Sequence, residues 1–381
     1  MQYRPFGKLG FDVSTFGMGC MRLPTTTDAE GNTVIDEKEA IAMIRHAADS
    51  GVNYFDTAYV YHNQTSEIVV GKAMQDGYRE KVRIADKLPL WLCDTYADME
   101  RKLDEMLERL QTDHIDFLLL HSLDRKRFDY GKELGALKFL DKALEQGKIL
   151  HPAFSMHDNI ESFKYILDSY PFEMCQIQLN FLDDKLQAGV EGLKYAADKG
   201  VPVVIMEPLK GGKLANNIPK DVQALWDGAS PKRTPVEWAF RWLYNFPEVT
   251  TILSGVSSME QLQDNLRIFS APDAKPGVMT ADEQALIVKA KEIYMARTKV
   301  GCTGCAYCMP CPQGIHIPDT FTMYNDLVDP ETSEKAKAKY ANAIKEGVDA
   351  SICAQCGACE AVCPQAINII DVLKEADAAL R

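Results

Sequence analysis

The 381-residue sequence predicts an α/β protein: a (β/α)8 barrel, in which strands and helices alternate, followed by a small helical domain. Two observations favour this fold class. Short apolar runs alternate with longer helical patterns over roughly the first 270 residues, the size that such a barrel needs. Eight of the 11 cysteines follow residue 300, where that alternation has ended. An open doubly wound sheet fits less well, because no Gly-x-Gly-x-x-Gly turn follows the first strand.

The eight predicted strands are apolar runs of four to eight residues. They lie at 14–19, 53–58, 82–87, 115–121, 149–155, 174–180, 202–207 and 251–255. The helical stretches between them lie at 37–50, 65–76, 94–110, 132–146, 159–169, 187–199, 234–246 and 258–268. The third helix shows the helical period well, with Met99, Leu103 and Leu110 on one apolar face. Before the first strand, residues 3–14 predict a short hairpin that would cover the bottom of the barrel.

The pattern changes at about residue 280. Residues 281–298 predict one helix, and two cysteine-rich turns follow it, separated by a charged helical stretch at 319–347. We therefore divide the chain into a barrel at 1–280 and a C-terminal helical domain at 281–381. The second unit has little apolar sequence, and small units of this kind generally need a metal or cross-links.

Composition and charge narrow the classes of function. The chain has 42 Lys and Arg against 55 Asp and Glu, a net charge of −13, which argues against nucleic acid or an anionic membrane as a partner. No apolar run approaches the ~18 residues of a membrane-spanning helix. The first ten residues lack the apolar core of a signal peptide, so we expect a cytoplasmic protein.

Two cysteine runs in the second unit have the spacing of iron–sulfur ligands. Their members are Cys302, Cys305, Cys308 and Cys311 in the first run and Cys353, Cys356, Cys359 and Cys363 in the second. Each run ends in Cys-Pro, and the second has the spacing of bacterial ferredoxins. The first run has one residue fewer between its third and fourth cysteines. The spacing predicts two [4Fe-4S] clusters and a ferredoxin-like domain.

The cysteine before proline ligates the other cluster in two-cluster ferredoxins, so exchange between the runs predicts the ligand sets. One cluster would be held by Cys302, Cys305, Cys308 and Cys363, and the other by Cys311, Cys353, Cys356 and Cys359. Zinc is an alternative, although its sites usually combine two distant cysteine pairs. Disulfides would need an oxidising compartment. The isolated cysteines are predicted to be buried free thiols: Cys20, Cys93 and Cys175.

Polar residues stand at the ends of three barrel strands, where an active site is expected in this fold. They are Asp56, with Tyr61 in the turn after it, Lys87 and His121. This constellation and the phrase FDTAYVYHNQTSE resemble the aldo-keto reductase superfamily over the first ~275 residues. With the cysteine-rich tail, the chain resembles the branch that carries a ferredoxin-type iron–sulfur domain.

The resemblance implies a role for each residue of this catalytic tetrad. Lys87, paired with Asp56, would lower the pKa of Tyr61. Tyr61 would then give a proton to a carbonyl oxygen as hydride reaches the carbon. His121 would donate a hydrogen bond that positions the carbonyl. Tyr59 is an alternative to Tyr61, but the family spacing favours Tyr61.

The resemblance also implies NADPH or NADH as cofactor. It places Ser155 and Gln176 near the carboxamide, and the loop after the seventh strand across the pyrophosphate. That loop and the start of the eighth helix supply the candidate residues Met206, Pro208, Leu209, Gly211, Lys213, Ser257, Ser258, Gln261 and Asn265. Met206 stands where many relatives have an aromatic residue, and Gly255 and Gln261 where NADP-specific relatives have basic ones. The choice between the two nicotinamides therefore stays open.

The sequence as a whole indicates an oxidoreductase that reduces an aldehyde or ketone, or oxidises the alcohol. The clusters would serve electron transfer or structure, with a ferredoxin or flavoprotein as redox partner. The alternative is an iron–sulfur electron-transfer or regulatory protein whose barrel binds nucleotide or flavin with little carbonyl turnover. Substrate choice would rest on the loops around the mouth, including Trp91 and the segment 122–131.

Overall fold

The computed structural model describes residues 1–381, apart from the side chains of 330 and 331. Contacts between residues divide the chain into two compact units, one of residues 1–208 and 239–280 and one of residues 209–238 and 281–381. Residues 209–238 follow the seventh barrel strand in the sequence, yet they group with the C-terminal residues. Among the described residues, no helix is both long and apolar enough to span a bilayer.

Eight strands form the barrel of the first unit. The strands of the chain are β1 (Tyr3–Pro5), β2 (Asp12–Ser14), β3 (Phe16–Gly19), β4 (Thr25–Thr27), β5 (Thr33–Ile35), β6 (Tyr54–Asp56), β7 (Arg83–Leu88), β8 (Ile115–Leu123), β9 (Ile149–Met156), β10 (Met174–Gln178), β11 (Val203–Met206) and β12 (Val249–Gly255). Strands β3 and β6 to β12 pair in chain order, all parallel, and β12 closes on β3. The predicted (β/α)8 fold is confirmed.

Apolar packing inside the barrel explains why the strands read as continuous hydrophobic runs. Every residue of β8 is buried, since helices cover its outer side and side chains fill its inner side. Strands β1 and β2 form the predicted hairpin, and Phe6 between them packs against Tyr54 and Phe117 near the start of β6 and β8. The rings of Phe6 and Phe117 are 4.8 Å apart. The hairpin thus covers the N-terminal end of the barrel and leaves the opposite end open to loops.

The helices confirm most of the predicted stretches. They are α1 (Glu37–Asp49), α2 (Ser66–Ala73), α3 (Tyr96–Leu110), α4 (Arg125–Leu134), α5 (Ala136–Glu145), α6 (Ile160–Asp168), α7 (Gly189–Asp198), α8 (Lys220–Gly228), α9 (Pro235–Tyr244), α10 (Met259–Ser270), α11 (Ala281–Arg297), α12 (Ile317–Asp326), α13 (Pro330–Glu346), α14 (Ala358–Ala361) and α15 (Ile369–Leu380).

The single helix predicted at 132–146 is wrong. Gly135 adopts a left-handed conformation, with φ of 87°, and ends α4 before α5 begins. Helix α4 covers most of a segment that had been taken for a loop, because its charged sequence hides the apolar period. Asp124 caps it by accepting a hydrogen bond from the backbone N–H of Arg127. Helix α8 is absent from the sequence prediction for a similar reason.

The second unit has a small apolar core beside the cysteine runs. Its buried residues include Ile315, Ile317, Phe321, Tyr340 and Leu373, and several of the cysteines pack against them. Helix α8 joins the unit through an ion pair of 3.0 Å between Asp221 and Arg297 of α11. The stretch predicted as helical at 319–347 is two helices, α12 and α13.

Candidate active site and cluster ligands

The four predicted catalytic side chains lie together at the C-terminal end of the barrel. Lys87 Nζ donates to Asp56 Oδ1 and to the carbonyl oxygen of Thr57, both at 2.6 Å. The same Nζ lies 4.8 Å from the centre of the Tyr61 ring. The His121 ring meets the Tyr61 ring edge-on at 6.0 Å. All four side chains are buried, and Tyr61, at 8% exposure, keeps some access to solvent.

Burial controls the protonation of the tetrad. It raises the pKa of Tyr61 well above 10, and the negative charge of Asp56 raises it further. This upward direction is the net effect of the surroundings, so the expected contribution of Lys87 to the pKa of Tyr61 stays a prediction. Burial also lowers the pKa of His121 well below 6.5, and Lys87 adds to this effect. Tyr61 is thus a neutral phenol and His121 a neutral imidazole, so both can donate a hydrogen bond.

Tyr59 points to a different environment. Its hydroxyl donates to Glu105 Oε2 at 2.6 Å, and its ring lies 4.3 Å from the guanidinium carbon of Arg109. Lys102 Nζ lies 4.6 Å from the same ring. These contacts hold the Tyr59 side chain against helix α3, so Tyr61 is the tyrosine whose ring faces Lys87 Nζ.

An aromatic side chain stands beside the tetrad. The Trp91 ring lies 5.2 Å from the His121 ring, and the side chain is 41% exposed. Arg127 packs on the Trp91 ring, with its guanidinium carbon 5.3 Å from the ring centroid. Arg127 Nη1 also donates to the carbonyl oxygen of Ser122 at 2.8 Å. Trp91 and α4 therefore both contribute to the mouth.

Two of the predicted nicotinamide contacts lie on neighbouring strands of the barrel. Ser155 is buried in β9, and its Oγ accepts the backbone N–H of Ser122 at 2.8 Å. Gln176 is buried in β10, where its Nε2 lies 3.7 Å from Met206 Sδ. Gln176 Oε1 is buried without a hydrogen-bond donor among the described residues. An unsatisfied buried acceptor is costly, so this oxygen fits the amide N–H2 of a nicotinamide.

The predicted cofactor contacts at the start of α10 form hydrogen bonds with one another. Ser258 caps the helix by accepting the backbone N–H of Gln261 at 3.3 Å, and Gln261 Oε1 accepts the backbone N–H of Ser257 at 3.0 Å. Only half of the capping box that the sequence indicates is formed, because Gln261 bonds the residue before the N-cap rather than Ser258 itself. Asn265 is buried and donates to Ser254 Oγ at 2.8 Å.

Three predicted cofactor residues lie in the second unit, whereas Pro208 is the last residue of the first unit's segment 1–208. They are Leu209, Gly211 and Lys213. Gly211 has a φ of 64°, and a Cβ built on it would lie 2.0 Å from the carbonyl oxygen of Thr303, within the first cysteine run. Burial raises the pKa of Asp326, and the charges of Lys339 and then Lys213 oppose that rise. Lys213 therefore lies near this carboxyl group. The loop after β11 is thus fixed against the cysteine run.

This close approach leads to a stability prediction. Gly211→Ala should lower the free energy of unfolding of the second unit by about 3 kcal/mol, since backbone atoms must shift to admit the methyl group. Gly212→Ala is the matched control: it also has positive φ, but its Cβ would meet only the flexible Asn216 side chain at 3.2 Å. It should cost about 1 kcal/mol. Amide hydrogen exchange in α11 measures both, and equal effects would contradict the contact with Thr303.

The cysteines of the two runs are half-buried, except for Cys356, which is exposed. Burial raises the pKa of the Cys308 thiol to about 12, and the neighbouring Cys305, Cys302 and Cys363 add to the rise. Cys308 therefore lies near the last cysteine of the other run. Burial also raises the pKa of the Cys359 thiol, and the neighbouring Cys353 adds to that rise. Among the described residues, no group of three or more His, Cys, Asp or Glu is arranged to hold a metal ion.

The three isolated cysteines have no part in either run. They are Cys20, Cys93 and Cys175, all buried free thiols as predicted. Two buried carboxyl groups beside the tetrad, Glu67 and Asp86, receive no role from the sequence. An acidic residue directly before Lys87 in an apolar strand was the available signal for Asp86.

Two family models match the chain. Residues 15–279 match the aldo/keto reductase family, and residues 301–369 match the 4Fe-4S dicluster domain. Among curated relatives, L-galactose dehydrogenase from Arabidopsis thaliana is 25% identical over 292 residues, which cover 70% of this chain and 87% of that protein. Probable aldo-keto reductase 1 from Glycine max is 26% identical over 295 residues, 68% of this chain and 82% of that protein.

Solved structures agree with this assignment. Aldo-keto reductase AKR11C1 from Bacillus halodurans, in its holo form, has a TM-score of 0.63 and 26% identity, covering 76% of this chain and 96% of that one. An aldo/keto reductase from Klebsiella pneumoniae, in complex with NADP and acetate, has a TM-score of 0.58. At 22% identity, over 73% of this chain and 91% of that one, it bears on the fold alone.

Proposed function

The chain belongs to the aldo/keto reductase family, whose members are oxidoreductases, and from that premise we propose that it reduces an aldehyde or ketone with a nicotinamide cofactor, or runs the reverse oxidation. The contact of Lys87, Asp56 and Tyr61 carries this proposal. A neutral phenol beside a buried ammonium is the arrangement that proton donation to a carbonyl oxygen needs.

In this proposal Tyr61 donates the proton and Lys87 stabilises what remains. As the phenol loses its proton, negative charge develops on its oxygen, and the ammonium of Lys87 faces the ring. Asp56 holds that ammonium in place through the hydrogen bond of 2.6 Å. The neutral imidazole of His121 donates a hydrogen bond that orients the carbonyl. Interactions that strengthen only as charge develops raise the rate of the chemical step.

NADPH or NADH, when bound, supplies the hydride. Ser155 and Gln176 would hold the carboxamide, and Gln176 Oε1 is the oxygen available for its N–H2 group. Met206 would stand beside the ring, and Pro208, Leu209, Gly211 and Lys213 along the pyrophosphate. Ser257 and Ser258, just before α10, would contact the adenosine side together with Gln261 and Asn265 within that helix.

We also propose two [4Fe-4S] clusters, with the exchanged ligand sets predicted from the sequence. The proximity of Cys363 to Cys308 supports that exchange, since the two residues belong to different runs. Eight thiols in two ferredoxin-type runs, within a matched dicluster domain, suit such clusters, each of which passes single electrons. Cys356 is exposed, so the cluster it helps to hold would be accessible to a ferredoxin or flavoprotein.

Anaerobic preparation tests both parts of the proposal. We expect about eight iron and eight sulfide per chain, together with carbonyl-dependent oxidation of NADPH or NADH. Stoichiometric zinc without iron would contradict the clusters. Iron without turnover on any of a panel of aldehydes and ketones would favour the alternative, an electron-transfer or regulatory protein. Bleaching of the cluster absorption by NADPH would show that electrons pass between the two sites.

A further inference from the structure

Two buried carboxyl groups next to the tetrad have no role in the mechanism above. Asp86 precedes Lys87 in β7, and Glu67 lies in α2. Both side chains are fully buried. An isolated buried carboxylate is very costly, so a stable pair of this kind needs compensation from a cation or a proton.

One oxygen of each carboxyl group has an identified donor. Asp86 Oδ1 accepts the backbone N–H of Lys87 at 2.8 Å, and Glu67 Oε2 accepts from Arg109 Nη1 at 2.8 Å. The second oxygens, Asp86 Oδ2 and Glu67 Oε1, are buried and have no donor among the described residues. Thr57 links the two segments, since its Oγ1 lies 2.9 Å from Ser66 Oγ and its backbone N–H donates to the carbonyl oxygen of Ala85 at 2.9 Å. The two carboxyl groups are therefore neighbours, and each acts on the pKa of the other. Since two carboxylates can only accept, a bond between them requires a proton.

The surroundings decide which group carries that proton. Arg109 gives Glu67 a direct cationic partner at 2.8 Å. The ammonium of Lys87 is directed to Asp56 and to the carbonyl oxygen of Thr57, so the Asp86 side chain lacks an equivalent partner. Burial, and then the charge of Glu67, raise the pKa of Asp86 well above its usual value. Glu67 is therefore the ionised member and Asp86 the neutral one.

We propose that Asp86 is a protonated carboxylic acid that donates a hydrogen bond to Glu67, and that this shared proton keeps a second negative charge away from Lys87. If Asp86 ionised, Lys87 would face two carboxylates, and the developing charge on Tyr61 would lose part of its stabilisation. Asp86 thus acts as a positioning residue, and its effect on turnover rests on the proposed function.

The proposal takes account of the other titratable groups around the pair. Those on neighbouring elements that act electrostatically on Asp86, on Glu67 or on Tyr61 are Cys20, Asp56, Lys87, Glu105, Arg109 and Glu207. Burial raises the pKa of the Cys20 thiol far above neutrality, so Cys20 contributes no charge. Arg109 and Lys87 are the cations of this group, and each already has a carboxylate partner.

Infrared spectroscopy of the resting protein tests the proton directly and without substrate. Wild type at pH 8 should show the C=O stretching band of a buried protonated carboxylic acid, and Asp86→Asn should remove it. Asp116→Asn is the matched control, because Asp116 is equally buried but forms an ion pair of 2.7 Å with Arg79. It should leave the band in place. Absence of the band from wild type would overturn the proposal, whether or not the protein reduces carbonyls.

Kinetics of paired isosteric variants test the consequence for the tetrad. Asp86→Asn resembles the neutral acid and should retain at least about a third of kcat. Glu67→Gln offers an amide donor that favours ionised Asp86, so it should remove the band and lower kcat about tenfold. Adding Asp86→Asn to Glu67→Gln should restore most of that loss, which a purely structural defect would not allow. The reverse order, with Asp86→Asn the more damaging, would overturn the assignment.

Discussion

Tyr61→Phe should lower kcat/KM for carbonyl reduction by about 1,000-fold, because the substitution removes the proton donor and leaves the ring in place. The affinity for NADPH or NADH should change less than about twofold, since the proposed cofactor contacts lie on other strands. Steady-state kinetics and fluorescence titration of the cofactor measure the two quantities separately. Turnover equal to that of wild type would remove Tyr61 from the mechanism.

Tyr59→Phe is the matched control for that experiment. It removes the same atom from a tyrosine two residues earlier in the chain, and that hydroxyl donates to Glu105 rather than facing Lys87. Its kcat/KM should stay within about threefold of wild type. If Tyr59→Phe were the inactive variant, the proton donor would have been assigned to the wrong tyrosine.

Cys308→Ala should remove one of the two clusters and unfold much of the second unit. Cysteines pack against a core of few buried residues there, so cluster binding and folding are expected to be coupled. We expect about half of the iron to be lost. Amide protection in α12 and α15 should fall by about 100-fold. The barrel strands, which belong to the first unit, should keep their protection.

Cys175→Ala provides the control for loss of a cysteine as such. Cys175 is buried in the barrel and belongs to neither run, so the variant should keep all of its iron. Loss of iron from both variants to the same extent would indicate general instability. Full iron content in Cys308→Ala would show that Cys308 is not a ligand.

The barrel was predictable because each strand leaves its own local signal. Residues 115–121 read as one apolar run, and the structure buries all of β8 on both sides. Helices exposed on one face left a weaker signal. The charged residues of α4 hid its period, and only the backbone conformation of Gly135 separates it from α5. Position at the strand ends was enough to bring Asp56, Lys87 and His121 into one site.

Local sequence patterns could not predict contacts between elements that are distant in the sequence. The proposed pairing of Glu67 with Asp86 joins a residue of α2 to one of β7, which no spacing rule predicts. The protonation of Tyr61 depends chiefly on burial, which raises its pKa and which no local pattern reveals. The metal-binding spacing of the cysteines was visible because each run is local, and the proposed exchange of ligands was predicted from the cysteine before proline in each run.

The path of the chain through its two units bears on how such a protein can be built or divided. The polypeptide passes from one unit to the other three times, after residues 208, 238 and 280. A truncation at residue 280 would leave 209–238 exposed, with Asp221 deprived of Arg297. The second unit therefore cannot be removed by a single cut, and transferring it to another barrel would require both of its segments, 209–238 and 281–381.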